Sequence, residues 1–238
     1  MADFMDKVKE CTVKCRYFQE FGFTLGFTLF AFGGGYSAWK FAMTYAVFYH
    51  TMKATFSGSR AMLNPAVAFA EFMQKNISIG EFIMFWFAQA FGAFFGFGIL
   101  NMMAGSFAND PANAVPAYSS DNFYSTVLNE ALSVGLLIWL WLDMHSKDRS
   151  ATYAEQFYGF APGLIYFLAL VFVNDSSFLN PAIFEGQWAA NMFFSNQHFG
   201  MFKSGVWEAG FSVENLTMCF APIVAAFIAC LMYAHFNK

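Results

Sequence analysis

The tripeptide Asn-Pro-Ala occurs twice, as Asn64-Pro65-Ala66 and Asn180-Pro181-Ala182, each time after a leucine (Leu63, Leu179) and at the head of a short apolar run. Asn is a favoured helix N-cap and Pro is favoured at the first helical position, so each copy reads as a helix start. One copy alone carries little weight; two in the same context constrain the fold strongly. The runs they open, Asn64–Met73 and Asn180–Phe193, are too short to cross a bilayer, which takes about 20 mostly apolar residues. A helix that begins within a membrane is tolerated only where its backbone is buried in protein or lines a polar cavity. Two such half-helices in corresponding halves of a chain point to inverted repeats with a pathway between them.

Half-helices of this kind require a membrane, and the composition argues for one. Of 238 residues only 12% are charged and 58% are hydrophobic, against about 25% and 45–50% in an ordinary soluble domain. Much of the exterior therefore faces the lipid bilayer. Six stretches qualify as spans: Tyr17–Ser37, Phe41–Phe56, Ile79–Met102, Phe123–Asp143, Phe157–Asn174 and Leu216–His235. The second and fifth are short and rely on tilt or on their neighbours. Ten of the 12 basic residues (Lys7, Lys9, Lys14, Arg16, Lys53, Arg60, Lys75, Lys147, Arg149, Lys238) fall on one side of this arrangement, and only Lys40 and Lys203 on the other. The positive-inside rule then predicts both termini on the cytoplasmic side or its matrix equivalent.

The expected organisation is an N-terminal interfacial segment over 1–16, a first repeat over 17–104, an external connecting loop over 105–122 and a second repeat over 123–238. Glu20 lies in span one and Glu130 in span four, the corresponding spans of the two halves. A carboxylate inside a span is costly and takes a partner within the bundle. The partners expected here are free backbone N–H groups of the loops leading to the half-helices. Gly92, Gly96 and Gly98 in span three predict close helix approach, with Gln89 as an interhelical hydrogen-bonding group.

Other functions find little support. A net charge of −4 without a basic stretch argues against nucleic acid. Cys11, Cys15, Cys219 and Cys230 form neither a CxxC pair nor a Cys/His zinc pattern, so neither a metal site nor a disulfide framework is expected. The four histidines are scattered, and no phosphate loop or nucleophile motif stands out. The chain reads as a protein that is not an enzyme and carries no cofactor. The first twenty residues mix both charge signs and lack an apolar core, unlike a secretory signal.

Several stretches resemble the aquaporin, or major intrinsic protein, family in the order that family has them. Glu20-Phe21-Gly22-Phe23-Thr24 resembles the opening of its first helix, and Leu63-Asn64-Pro65-Ala66-Val67 its first pore loop. Ala88-Gln89-Ala90-Phe91-Gly92-Ala93 is similar to its third helix, and Phe220-Ala221-Pro222-Ile223-Val224-Ala225-Ala226 to its sixth. The resemblance implies an all-α membrane fold of six spans and two re-entrant half-helices. It implies passive passage of water or a small neutral solute such as glycerol between the half-helices, with Asn64 and Asn180 donating hydrogen bonds to the permeant. Their positive helix ends would oppose cations and protons. Members of the family usually form homotetramers.

The sequence departs from that pattern at the selectivity filter. Ile183 stands where conducting members carry an Arg after the second motif, followed by Phe184 and Glu185. The filter histidine of helix five, counted twelve residues before the second Asn, falls on Leu168. The helix-two position falls at Thr44, Ser177 takes the small-residue place, and Met62 replaces a His before the first Asn. A filter of Thr44, Leu168, Ser177 and Ile183 has lost its fixed charge and its ring donor. Two outcomes are expected of such a chain: an atypical channel of relaxed selectivity, or a pore-degenerate structural subunit of a larger membrane complex.

Overall fold

The computed structural model describes residues 16–34, 36–55, 61–104, 123–145, 160–172, 179–194 and 213–237. The expected interfacial segment, the connecting loop and Ser177 lie outside the described residues. Among the described residues eight helices follow in order: α1 (Arg16–Phe32), α2 (Ala38–Thr55), α3 (Pro65–Met73), α4 (Ile79–Ala104), α5 (Phe123–His145), α6 (Phe160–Phe172), α7 (Pro181–Phe194) and α8 (Val213–Phe236). Three of them, over Ile79–Met103, Phe123–His145 and Leu216–Phe236, are long and apolar enough to cross a membrane by length and composition alone. The first helix stops at Phe32, five residues before the expected end. Gly34 takes a left-handed φ of 75° there, a conformation glycine adopts without a Cβ penalty.

The helices pack in pairs, α1 on α4, α2 on α6 and α5 on α8, with α7 against α4. Gly92 and Gly96 explain the first pairing. A Cβ on Gly92 would lie 2.5 Å from the Phe21 carbonyl oxygen, and one on Gly96 2.7 Å from Thr28 Cβ. Only a bare glycine backbone lets α1 come this close. Gln89, one turn earlier, donates from Nε2 to Glu20 Oε2 at 2.9 Å, which ties the same two helices by a buried polar bond.

The outer faces are apolar. Phe87, Phe91 and Phe95 of α4, Leu128, Leu132 and Leu136 of α5, and Val224, Phe227 and Leu231 of α8 are all exposed. These stripes recur every three or four residues, the spacing of one helix face. The interior is rich in aromatic side chains. Phe27, Phe41, Tyr45, Tyr49 and Tyr166 are completely buried.

Candidate functional site

Each Asn-Pro-Ala motif starts a helix in the way its residues dictate. Asn64 sits in extended backbone (φ −153°, ψ 124°) with Pro65 at the first helical position, and its Oδ1 accepts from the Ala66 N–H at 2.8 Å. Asn180 repeats this with Ala182 at 3.1 Å. The leucines before them share a left-handed φ of 53°, a region costly for a residue with a Cβ. For Leu63 the compensation is visible. Glu20 accepts the Met62 and Leu63 backbone N–H groups at 2.8 Å each, in addition to Gln89. Glu130 accepts a backbone hydrogen bond from Leu179, while its Oε2 has no partner among the described residues.

The two loops then lock together. Asn64 Nδ2 donates to the Leu179 carbonyl at 2.9 Å, and Asn180 Nδ2 donates to the Leu63 carbonyl at 2.8 Å. A primary amide has two N–H donors, so one on each Asn is left to face a passing molecule. At Asn64 that second donor meets protein: Nδ2 also donates to the Tyr166 hydroxyl of α6. The adjoining carbonyl is occupied in the same way, since Tyr45 donates its O–H to the Met62 oxygen at 3.0 Å.

The rings behind these hydroxyls fill the space alongside the motifs. Tyr45 and Tyr166 lie 4.3 Å apart between centroids, Phe41 and Tyr166 5.6 Å, and Tyr45 and Tyr49 6.2 Å. Phe41, Tyr45 and Tyr49 recur every four residues on one face of α2, so they form a continuous column. Asn64 and Tyr166 are both 0% exposed and Asn180 is 1% exposed.

Below the column, toward the far end of α3, a polar cluster continues the filling. Glu71 accepts from Trp141 Nε1 at 2.9 Å and from Asn76 Nδ2 at 3.0 Å. Trp141 stacks on His145 and meets Tyr49 edge-on, while the Tyr49 hydroxyl and His145 Nε2 are 3.2 Å apart. No group of three or more His, Cys, Asp or Glu side chains among the described residues is placed to hold a metal ion.

The filter positions inferred from sequence are only partly brought together. Ile183 is fully buried and Thr44 half-buried beside Tyr45. Leu168 needs correction. It is 55% exposed and lies on the outer stripe of α6 with Phe160, Leu164 and Val171. A helix turns about 100° per residue, so a count borrowed from another chain errs by a whole face when one or two residues differ. The residue that faces inward near this level is Tyr166. Glu185 turns toward α4, where its Oε2 accepts from Trp86 Nε1 at 2.8 Å.

Sequence reasoning missed Tyr166 and Tyr45. The available signal was a tyrosine in the middle of an apolar span, because a buried phenol seeks a hydrogen-bond partner.

The fold matches the crystal structure of the aquaglyceroporin from Plasmodium falciparum with a TM-score of 0.65 at 18% identity, over 92% of each chain. No curated protein sequence matches significantly. The profile described as Major intrinsic protein matches residues 28–233, most of the chain. With the half-helices, the paired asparagines and the apolar outer faces, that match makes this chain a member of the major intrinsic protein family, the family of aquaporin-like membrane channels, and an integral multi-pass membrane protein.

Proposed function

We propose that this chain keeps the channel fold but not an open path for water or small neutral solutes, and that it serves as a structural subunit of a larger membrane assembly. The observation that carries this reading is the Tyr166 hydroxyl on the Asn64 amide, in the place a permeant would take. Removing that ring from the path means breaking a buried hydrogen bond and opening a tightly packed aromatic column, since Tyr45, Phe41 and Tyr49 stand beside it. Apolar Ile183 in place of a cationic filter residue supports the same conclusion. With the fixed charge and the ring donor gone, water stripped of its bulk partners finds few replacements in the constriction.

In this reading the repeats over 17–104 and 123–238 serve as halves of a scaffold, with both termini on the cytoplasmic or matrix-equivalent side. Asn64, Pro65, Ala66, Asn180, Pro181 and Ala182 hold the two half-helices end to end, and Glu20 and Glu130 support the loops before them.

The test is osmotic shrinkage of vesicles carrying the purified protein, recorded against empty vesicles with water and with glycerol as permeants. Rates equal to those of empty vesicles are expected. A second reading, a working channel gated by Tyr166, is favoured by one observation: the reciprocal asparagine bonds and the Glu20 support are intact although the column makes them useless for transport. It requires faster shrinkage of the native protein under some condition, and faster still in Tyr45→Ala/Tyr166→Ala.

A further inference from the structure

The second half-helix carries a carboxylate on the side away from the aromatic column. Glu185 of α7 is half-buried, and the hydrogen bond from Trp86 is the one it receives among the described residues. It lies at the seam between α4 and α8, with Trp86 of the one and Cys219 of the other as neighbours. These two helices pack on α3 and α7 between them but make little contact with each other. Trp86, itself half-buried, meets Phe220 of α8 nearly edge-on at 6.2 Å. Phe220 and Phe87 at the rim are 53% and 58% exposed.

The acid on the first half-helix, at a different position (seven residues after its Asn, against five for Glu185), shows what a satisfied carboxylate looks like here. Glu71 is 2% exposed and has donors on both oxygens, Trp141 on one and Asn76 on the other. Glu185 has the indole but no second donor among the described residues, and exposed apolar rings of α4 and α8 stand beside it. An acidic side chain within the hydrocarbon region is costly and persists where a partner neutralises it. Aromatic rings around such a partner favour a cation as well.

We propose that the α4–α8 seam beside Glu185 docks a membrane helix of a partner subunit, which presents a Lys or Arg side chain to Glu185 between Trp86, Phe87 and Phe220. The proposal rests on the structural-subunit reading above. The cation completes the carboxylate as Asn76 completes Glu71, and the phenylalanine rim packs against the flanks of the incoming helix.

The experiment places a photo-cross-linking residue at Phe87 or Phe220 in the full-length protein in its own membrane and maps the adducts by mass spectrometry. The expected product joins this chain to one membrane protein, within a turn of a Lys or Arg in a membrane helix. Glu185→Gln can keep the Trp86 bond while losing the charge. It should lower co-purification of that protein by about tenfold or more, whereas Leu164→Ala on the α2–α6 side stays within about twofold. Adducts only with lipid or a second copy of this chain, a partner helix without a basic residue, or full co-purification of Glu185→Gln each overturn the docking. Flux separates this failure from the other: a native chain that conducts overturns the structural-subunit reading, whatever the cross-links show.

Discussion

Leu63 and Leu179 share one left-handed φ, and Asn64 and Asn180 cap their half-helices through the same side-chain oxygen, bonded to the N–H two residues on. Around that common frame the two halves differ in several polar partners. Glu20 takes three donors, and Glu130 has one oxygen without a partner among the described residues. The Asn64 amide is engaged by both Leu179 and Tyr166, and Asn180 by Leu63. Each half-helix also carries an acid, though at different positions: Glu71 is buried with two donors, and Glu185 is half-buried with one among the described residues. Backbone geometry of this kind is held by a few local rules, helix caps and a reciprocal pair of bonds, so it survives wide changes around it. The side chains beside it decide whether the donors face a permeant or the protein. A complete pore-loop frame is therefore weak evidence of conduction by itself.

The contrast between the glutamates gives the largest expected effect. Glu20→Leu strips two buried backbone N–H groups of their acceptor and leaves Gln89 unpaired, at a cost of about 4 kcal/mol. Glu130→Leu removes an acid with fewer donors and should cost about half as much, roughly 2 kcal/mol. Thermal unfolding of both variants in detergent measures the difference. Equal losses would mean that the second loop is supported as strongly as the first, and the asymmetry would carry no energetic weight.

Next comes the pair on α6 that separates the observed from the inferred passage. Tyr166→Ala opens a cavity in a packed aromatic column and should cost about 3 kcal/mol. Tyr166→Phe keeps the ring but loses the hydroxyl's hydrogen bonds to Asn64 and Tyr45, and should cost about 2 kcal/mol. Leu168→Ala, on the outer stripe, should stay below about 1 kcal/mol. Unfolding of the three variants side by side ranks them. A Leu168 variant as damaging as Tyr166→Ala would return that position to the interior.

The frame was legible in the sequence and the filling was not, for physical reasons. Asn before Pro at the head of an apolar run has few conformations open to it, so both helix starts and the need for an acceptor such as Glu20 followed from local chemistry. Gly92 and Gly96 likewise announced a close helix pair, because a Cβ there has nowhere to go. Tyr166 and Leu168 are two residues apart in one apolar helix, and nothing local says which faces in. That depends on how α6 is rotated against α2, where Gly163 lies 2.9 Å by its would-be Cβ from the Ala42 carbonyl oxygen. The direction of Glu185 was equally unreadable, since its partner Trp86 stands 99 residues away in the chain.

The smallest expected effect tests how differently the half-helices sit in the bundle. Six residues after each capping Asn, α3 has Ala70, fully buried, and α7 has Gly186. A Cβ on Gly186 would lie 2.4 Å from Ala93 Cβ and 2.7 Å from the Phe94 backbone nitrogen. Backbone cannot step aside as a flexible side chain does, so Gly186→Ala should push α7 off α4 and cost about 2 kcal/mol. The reverse change, Ala70→Gly, lowers helix propensity and leaves a methyl-sized gap, at a cost of about 1 kcal/mol. Chemical unfolding resolves these values, and tryptophan fluorescence adds a local readout. Gly186→Ala disturbs the Trp86–Glu185 bond next to it, while Ala70→Gly leaves that bond alone. If both variants change stability and Trp86 emission alike, α7 has no tighter seat on α4 than α3 has in its own surroundings, and the half-helices differ only in their carboxylates.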